Sequence, residues 1–417
     1  MLRIIDEREA EQLLKRRAAR LGEAEKIVRP ILEDVRKKGD RALLKYARKL
    51  DGLERAARTV EVPPREIQAA EEGLSPEFRG ALRDASQQIR DFARMQLPKG
   101  WMKRLSAGQR AGQIVRPLDA VGAYIPSGRY PLPSTLLMTV IPAQVAGVPS
   151  VAVASPRPSL EILGTAGYLK SGQVFRMGGA QAIAAFAFGT ETVPKVDRIV
   201  GPGNIYVAAA KKLLAGEVGI DFVAGPSEIL IIASDAAYPK VIAADMLAQI
   251  EHDRDAAAIL VTTRRPLALA VADEIERQLR SLPTAPTARR ALRRNSAIIV
   301  VKSSESAADL SNRFAPEHLS LPDASLLPLI TSAGSVFIGP YSPEAAGDYA
   351  SGPNHVLPTS GAARIRGGLS AADFVKVISV QQLNLAALRK LAPAILTLAR
   401  AEGLEAHARS VEVRLNG

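Results

Sequence analysis

Asp197-Arg-Ile-Val-Gly-Pro-Gly-Asn-Ile-Tyr-Val-Ala-Ala-Ala-Lys-Lys-Leu-Leu214 passes from a short β-branched run, through two glycines around a proline, into an Ala-rich run with helical spacing. A strand that feeds a helix through such a turn is the repeating unit of a parallel sheet, whose neighbouring strands need crossover connections. The alternation extends to both sides. Apolar runs at 121–125, 151–154, 174–177, 198–200 and 229–232 are separated by helical stretches at 134–145, 160–170, 181–188 and 205–214. This is the pattern of a Rossmann-like sheet wrapped by helices. After Asp235 it resumes with helix 239–252, strand 258–262, helix 267–279, strand 298–301, helix 306–314 and strand 335–338, a second α/β unit.

The flanks read differently. Asp6 followed by Glu9 makes a capping box, and Leu13, Leu14, Val28, Ile31, Leu32 and Val35 continue at helical spacing with a break near Gly22. A further helix at 40–50 stops at Gly52, and Phe78, Leu82, Ala85, Ile89 and Phe92 form one apolar stripe. At the other end 371–401 reads as helix and 411–415 as a short strand, an amphipathic tail that needs something to dock on, with a partner subunit as a candidate. The expected fold class is therefore α/β, two Rossmann-like domains with helical N-terminal and C-terminal extensions.

Composition bounds the function classes. A chain of 417 residues exceeds what one core usually serves. No apolar run has the length of a spanning helix and Met1-Leu2-Arg3-Ile4-Ile5-Asp6 lacks a signal-peptide core, so a cytoplasmic protein without membrane contact is expected. The absence of cysteine excludes disulfides and thiolate chemistry, leaving His, Asp, Glu and Gln as metal ligands. A net charge of +12 invites a nucleic-acid reading, but basic residues are interspersed with acids, only Arg289-Arg290 with Arg293-Arg294 cluster, and aromatics at 4% are too few for stacking platforms. A solvated surface that attracts anionic cofactors is the reading taken, with no nucleic-acid partner.

Three glycine turns follow strands: Tyr124-Ile125-Pro126-Ser127-Gly128, Gly178-Gly179-Ala180-Gln181 and Gly201-Pro202-Gly203-Asn204. At the carboxyl ends of parallel strands they would line one crevice of the kind that binds nucleotides. The third glycine of the dinucleotide fingerprint is missing, Tyr206 standing in its place, so a plain strand-to-helix turn explains the last one about as well. Glu317-His318 pairs a carboxylate with an imidazole, suited either to proton transfer or to a capped, hydrogen-bonded turn. Gln249 and His252 share a helix face; with Asp348 in a loop of small residues and His407 near the C-terminus they are ligands fit for Zn²⁺. Each also has a bland reading as a helix-face, turn or surface residue.

Taken together, these residues resemble the histidinol dehydrogenase family over nearly the whole chain. The resemblance rests on Gly201-Pro-Gly-Asn-Ile-Tyr-Val207, Ala224-Gly-Pro-Ser-Glu-Ile229, Gln249-Ile-Glu-His-Asp253, Pro316-Glu-His-Leu319, Gly347-Asp-Tyr-Ala-Ser-Gly352 with Asn354-His-Val-Leu-Pro358, and Glu402-Gly-Leu-Glu-Ala-His407. It implies a Zn²⁺ site of Gln249, His252, Asp348 and His407, the last donated across an intertwined homodimer. It implies Glu317 and His318 as the acid/base pair, and NAD at Tyr124, Gln181 and Asn204. Around the substrate, L-histidinol, it implies Ser227, His355 and Glu402 beside the metal residues and His318. The implied reaction is four-electron oxidation of L-histidinol to L-histidine with two NAD⁺ reduced, the last step of histidine biosynthesis. Pro126-Ser127-Gly128 departs from the family's proline followed by two glycines, beside Tyr124. An alternative within the superfamily is a zinc- and NAD-dependent dehydrogenase of another small polar alcohol, such as a sulfonated diol. The expected division is an N-terminal helical arm at 1–22, a discontinuous α/β domain of 23–118 plus 232–368 with the metal and catalytic residues, an NAD-side domain at 119–231, and a helical tail at 369–417 packing on the partner.

Overall fold

The computed structural model describes residues 2–10, 21–127, 131–223, 225–233, 238–251 and 253–416. Of the residues singled out above, Met1, Leu13, Leu14, Gly128, Ala224, Asp235 and His252 lie outside that set. In chain order, strand β1 (Arg3–Asp6) is followed by helices α1 (Leu21–Tyr46), α2 (Pro64–Glu72) and α3 (Pro76–Gln96) and by strands β2 (Trp101–Ser106) and β3 (Gln109–Pro117). Next come β4 (Ala120–Tyr124), α4 (Pro133–Val145), β5 (Ser150–Ala154), α5 (Leu160–Tyr168), β6 (Val174–Phe175), α6 (Gly179–Phe188), β7 (Arg198–Val200), α7 (Ile205–Leu214) and β8 (Gly219–Ile220). A second alternation runs β9 (Glu228–Ala233), α8 (Pro239–Ile250), β10 (Ala257–Thr262), α9 (Arg265–Gln278), α10 (Ala285–Asn295), β11 (Ala297–Val300), α11 (Ser304–Phe314), β12 (His318–Leu321) and β13 (Ser335–Ile338). The chain ends with α12 (Glu344–Tyr349), β14 (Val375–Leu383), α13 (Leu385–Ala401) and α14 (Glu405–Asn416).

Two parallel sheets result. The five-stranded sheet has the order β6-β5-β4-β7-β8, and the six-stranded sheet the order β1-β11-β10-β9-β12-β13. From the inner strands β4 and β9 each order runs outward to one side and then reverses to the other, the doubly wound order expected from the alternation, with β1 added at the edge of the larger sheet. Both faces of each sheet are covered, so the strands read as continuous apolar runs. In β9, Ile229 and Ile231 face Ile242, Met246 and Val271, while Leu230 and Ile232 face Leu310 and Phe314.

The flanks depart from the sequence expectation. Residues 3–6 form an edge strand on β11 and not a helical arm, because Ile4 and Ile5 fit a half-buried edge; the Asp6–Glu9 capping box is present at its end. Helices α1, α2 and α3, grouped above with 232–368, pack instead on the five-stranded unit: α1 on α6 and α7, α2 on α5, α3 on α4. Val28, Leu32 and Val35 of α1 join the core of Ile183, Phe186 and Val207, which explains their stripe. In the tail, 375–383 is a strand paired antiparallel with β3 over nine residues, its Val-Lys-Val alternation overriding the helical reading, and 411–415 belongs to α14.

Candidate active site

The amino ends of β9 and β12, neighbours at the point where the six-stranded order reverses, carry the first group of expected residues. Helix α11 ends at Ala315 in a left-handed turn, and Pro316 then sends the chain into β12 with Glu317 and His318 at its buried start. A Glu317 carboxylate oxygen accepts the Glu228 N–H at 2.8 Å, and His318 Nδ1 lies 3.1 Å from the Glu228 carbonyl oxygen. A carbonyl only accepts, so Nδ1 carries the proton and, in the neutral ring, Nε2 carries the lone pair. The tautomer suited to a base at Nε2 is thus set by the backbone of β9.

Acidic groups close around that ring. His318 Nδ1 is 3.7 Å from both Glu317 and Glu344, and Nε2 is 3.8 Å from Asp348. Gln249, buried in the last turn of α8, has one amide atom 2.5 and 3.1 Å from the two Glu344 oxygens and 3.1 Å from His318 Nδ1, and the carboxylate assigns that atom as the nitrogen. The Glu344 carboxylate needs donors, whereas a protonated Nδ1 already donates to Glu228, so the Glu344 bonds are the ones that fix the amide. Burial pushes the Glu344 carboxyl well above its usual range, and the charges of Asp348, Glu317 and Asp245 add to the effect. Asp245 is itself pushed up by burial, to about 6. So much negative charge out of water is relieved by a cation. Donor atoms of His318, Glu344 and Asp348 lie within 4.8 Å of one another, and this nitrogen and oxygen set fits a divalent ion such as Zn²⁺.

The second group lies at the carboxyl ends of the five-stranded sheet. Tyr124 ends β4, and its hydroxyl oxygen accepts the Gly179 N–H at 3.1 Å; burial, with the Asp51 charge, pushes the phenol up to about 12, so it stays protonated. Gln181, in the first turn of α6, donates its amide to Asp51 at 3.0 Å. Burial raises the Asp51 carboxyl, with the bonds from Gln181 and Gly178 and the charge of Arg157 pulling against it. Asn204 caps α7, its side-chain oxygen accepting the Tyr206 and Val207 N–H groups at 3.0 and 3.2 Å. The turn before it can only be glycine at 201: φ is +110° and an added Cβ would meet the Tyr124 carbonyl oxygen at 2.1 Å. A buried pair secures the same turn, Asp221 accepting the Gly201 N–H at 2.8 Å and the Lys211 ammonium at 2.7 Å.

The loop 350–358 ties the first group to helix α4 beside the five-stranded sheet. His355 Nδ1 lies 2.7 Å from the Asp348 carbonyl oxygen and Nε2 3.2 Å from the Thr135 hydroxyl in the first turn of α4. Asn354 donates to the Met138 carbonyl at 2.6 Å. The profile of histidinol dehydrogenase matches residues 14–415 of the sequence. The chain belongs to the histidinol dehydrogenase family. It is 50% identical over 395 residues to the histidinol dehydrogenase of Thermus thermophilus, covering 94% of each chain. It is 47% identical over 397 residues to that of Methanothermobacter thermautotrophicus, covering 93% of this chain and 92% of the other. The crystal structure of histidinol dehydrogenase from Elizabethkingia anophelis matches with a TM-score of 0.95 at 38% identity, covering 100% of this chain and 98% of that one.

Members of the histidinol dehydrogenase family are NAD-linked dehydrogenases, and the placement of the expected residues is informative in that light. Gln249, Glu317, His318 and Asp348 come together in one cluster. Ser227 immediately precedes β9, its carbonyl accepting the Ala257 N–H at 3.0 Å. Glu402 and His407 are exposed, at the end of α13 and on α14, and α14 packs against α13. Glu344 was not foreseen. It sits one helical turn before Asp348, so an i,i+4 carboxylate pair was the available signal. Asp51 was missed too, because no local pattern links it to Gln181. Among the described residues no helix is long and apolar enough to cross a membrane.

Proposed function

We propose that the chain oxidises L-histidinol to L-histidine as a cytoplasmic homodimer, reducing two NAD⁺ in succession in the last step of histidine biosynthesis. Residues 232–368 supply the metal and catalytic side and 119–231 the NAD side, with Tyr124, Gln181 and Asn204 against the dinucleotide. The observation that carries the reading is the buried Glu317–His318 pair, with its tautomer set by Glu228, inside a ring of metal-ligating side chains in a chain of this family.

A Zn²⁺ ion held by Gln249, His252, Asp348 and the partner's His407 would supply a Lewis-acidic anchor for nitrogen and oxygen groups of the substrate. The chain's own residues do the rest. His318 Nε2 takes the alcohol proton as hydride leaves for NAD⁺, giving the aldehyde and one NADH. Glu317 takes a proton from the water that adds to this aldehyde, and His318, having released its proton, takes the hydrate's as the second hydride leaves. Ser227, His355 and Glu402 hold the substrate's polar groups, a positioning role. Gln249 keeps its amide oxygen for the metal because Glu344 holds its nitrogen.

Purified, metal-replete protein mixed with L-histidinol and NAD⁺ is expected to form two NADH per histidinol consumed, read at 340 nm against histidine formed. No turnover, or one NADH per substrate, would overturn the reading.

A further inference from the structure

One buried acid on the nucleotide side has no part in this chemistry. Asp51 closes the turn Ala47–Asp51 that follows α1 and is 7% exposed. One of its carboxylate oxygens accepts two hydrogen bonds, from the Gly178 N–H at 2.9 Å and from Gln181 Nε2 at 3.0 Å. An acceptor placed there dictates which way the Gln181 amide faces, since only its nitrogen can donate. The amide oxygen is left buried and, among the described residues, without a hydrogen-bond partner. Buried polar atoms are rarely left so unless something absent from the structure satisfies them. The neighbouring Tyr124 hydroxyl is set in the same way: its oxygen accepts from Gly179, so its own hydrogen is left to donate.

We propose that Asp51 is a positioning residue of the nucleotide site, which by holding the nitrogen of Gln181 presents the amide oxygen as an acceptor for a hydrogen-bond donor of NAD⁺. This rests on the reading that Tyr124, Gln181 and Asn204 line the NAD⁺ site. Asp51 touches neither substrate; it acts through Gln181 and the Gly178-Gly179 turn. Its removal therefore weakens NAD⁺ binding without altering the chemistry at Glu317 and His318.

The test uses the full chain and steady-state kinetics with each substrate varied. Asp51→Ala is expected to raise KM for NAD⁺ about tenfold, the loss of one well-placed hydrogen bond, while kcat at saturating NAD⁺ and KM for L-histidinol stay within about twofold. Asp51→Asn keeps an oxygen able to accept both bonds and returns KM for NAD⁺ to within about threefold of the parent. A second route avoids the cavity left by alanine. Gln181→Glu, which leaves Asp51 in place, sets a second carboxylate against the Asp51 oxygen and is expected to raise KM for NAD⁺ as well. An unchanged KM for NAD⁺ in Asp51→Ala, a fall in kcat alone, or no recovery in Asp51→Asn overturns the proposal. The two failures are distinguishable. If Gln181→Ala leaves KM for NAD⁺ untouched, the nucleotide-site reading itself falls; if Gln181→Ala raises it and Asp51→Ala does not, only the role of Asp51 falls.

Discussion

His318 stands where two roles compete, because its ring is both the base of the proposed reaction and one of three side chains whose donor atoms converge as a metal site would require. With Nδ1 committed to the Glu228 carbonyl, only Nε2 remains for either role, and a nitrogen that ligates a metal cannot also take a proton. The two roles part in a single variant. His318→Asn is expected to lower kcat by about 10²–10⁴, the usual worth of a general base, while metal content per chain stays that of the parent. His252→Asn is expected to lose metal and activity together. Metal loss in His318→Asn, measured by elemental analysis after dialysis, would make His318 a ligand and leave the proton to Glu317. At this scale the sequence discloses chemistry where residues are adjacent, as in Glu317-His318, and hides it where tertiary contact creates the pair. Nothing near Asp51 points to Gln181, which lies 130 positions on, and Glu344 gains its meaning only from Gln249 and Asp348.

Helix α1 is one element in name and two in geometry, broken at Gly39, where φ is +49° and ψ −132°, values a side chain disfavours. Asp34, before the break, ties the two halves: its carboxylate accepts from Lys38 at 2.5 Å and, beyond the break, from Lys45 at 3.2 Å and the Tyr46 hydroxyl at 3.1 Å. The second half leads into Asp51, so this tie also bears on the proposed nucleotide site. The bond from Lys38, then that from Lys45, lowers the Asp34 pKa from 3.8 to about 2, with Tyr46 adding to them. Since the folded value is the lower one, the carboxylate's stabilisation is fully present above the unfolded pKa near 4 and is lost as pH falls through about 2. Asp34→Asn is therefore expected to be less stable than the parent at pH 6, with the gap in urea midpoints shrinking as pH is lowered from 4 toward 2. A gap independent of pH would mean that the tie does not depend on the charge. The helix at 40–50 and its stop at Gly52 were legible from spacing and from glycine. Strand β14 was not, because its Val and Ile residues suit a helix face about as well until β3 supplies an edge to pair with.

The molecule as a whole was legible as two doubly wound sheets because strand runs and helical spacing alternate over most of 120–338. What was not legible is which strand ends carry each group: Glu317 and His318 lie at the amino ends of β9 and β12, whereas Tyr124 lies at the carboxyl end of β4, and His355 links Asp348 to Thr135 of α4. The remaining part, β2, β3 and β14 with α13 and α14, keeps large apolar side chains in water, among them Trp101, Leu105, Val377, Leu398 and Val413. Large apolar side chains left in water on one part of the fold are what a partner would cover, and His407 on α14 is exposed too, while the cluster it is proposed to complete is largely buried. A second copy of the chain resolves both facts if its α14 carries His407 to the neighbour's Gln249 and Asp348. Mixing variants distinguishes this from donation within one chain. In a heterodimer of His407→Asn with His318→Asn, the site built on the His407→Asn body receives an intact His407 from its partner, and the other site has neither base nor fourth ligand. Random pairing of equal amounts makes half of all dimers mixed, each with one good site, so about a quarter of parental activity is expected after co-refolding of two inactive proteins. Donation within one chain gives every site a defect, and the mixture would stay as inactive as its components.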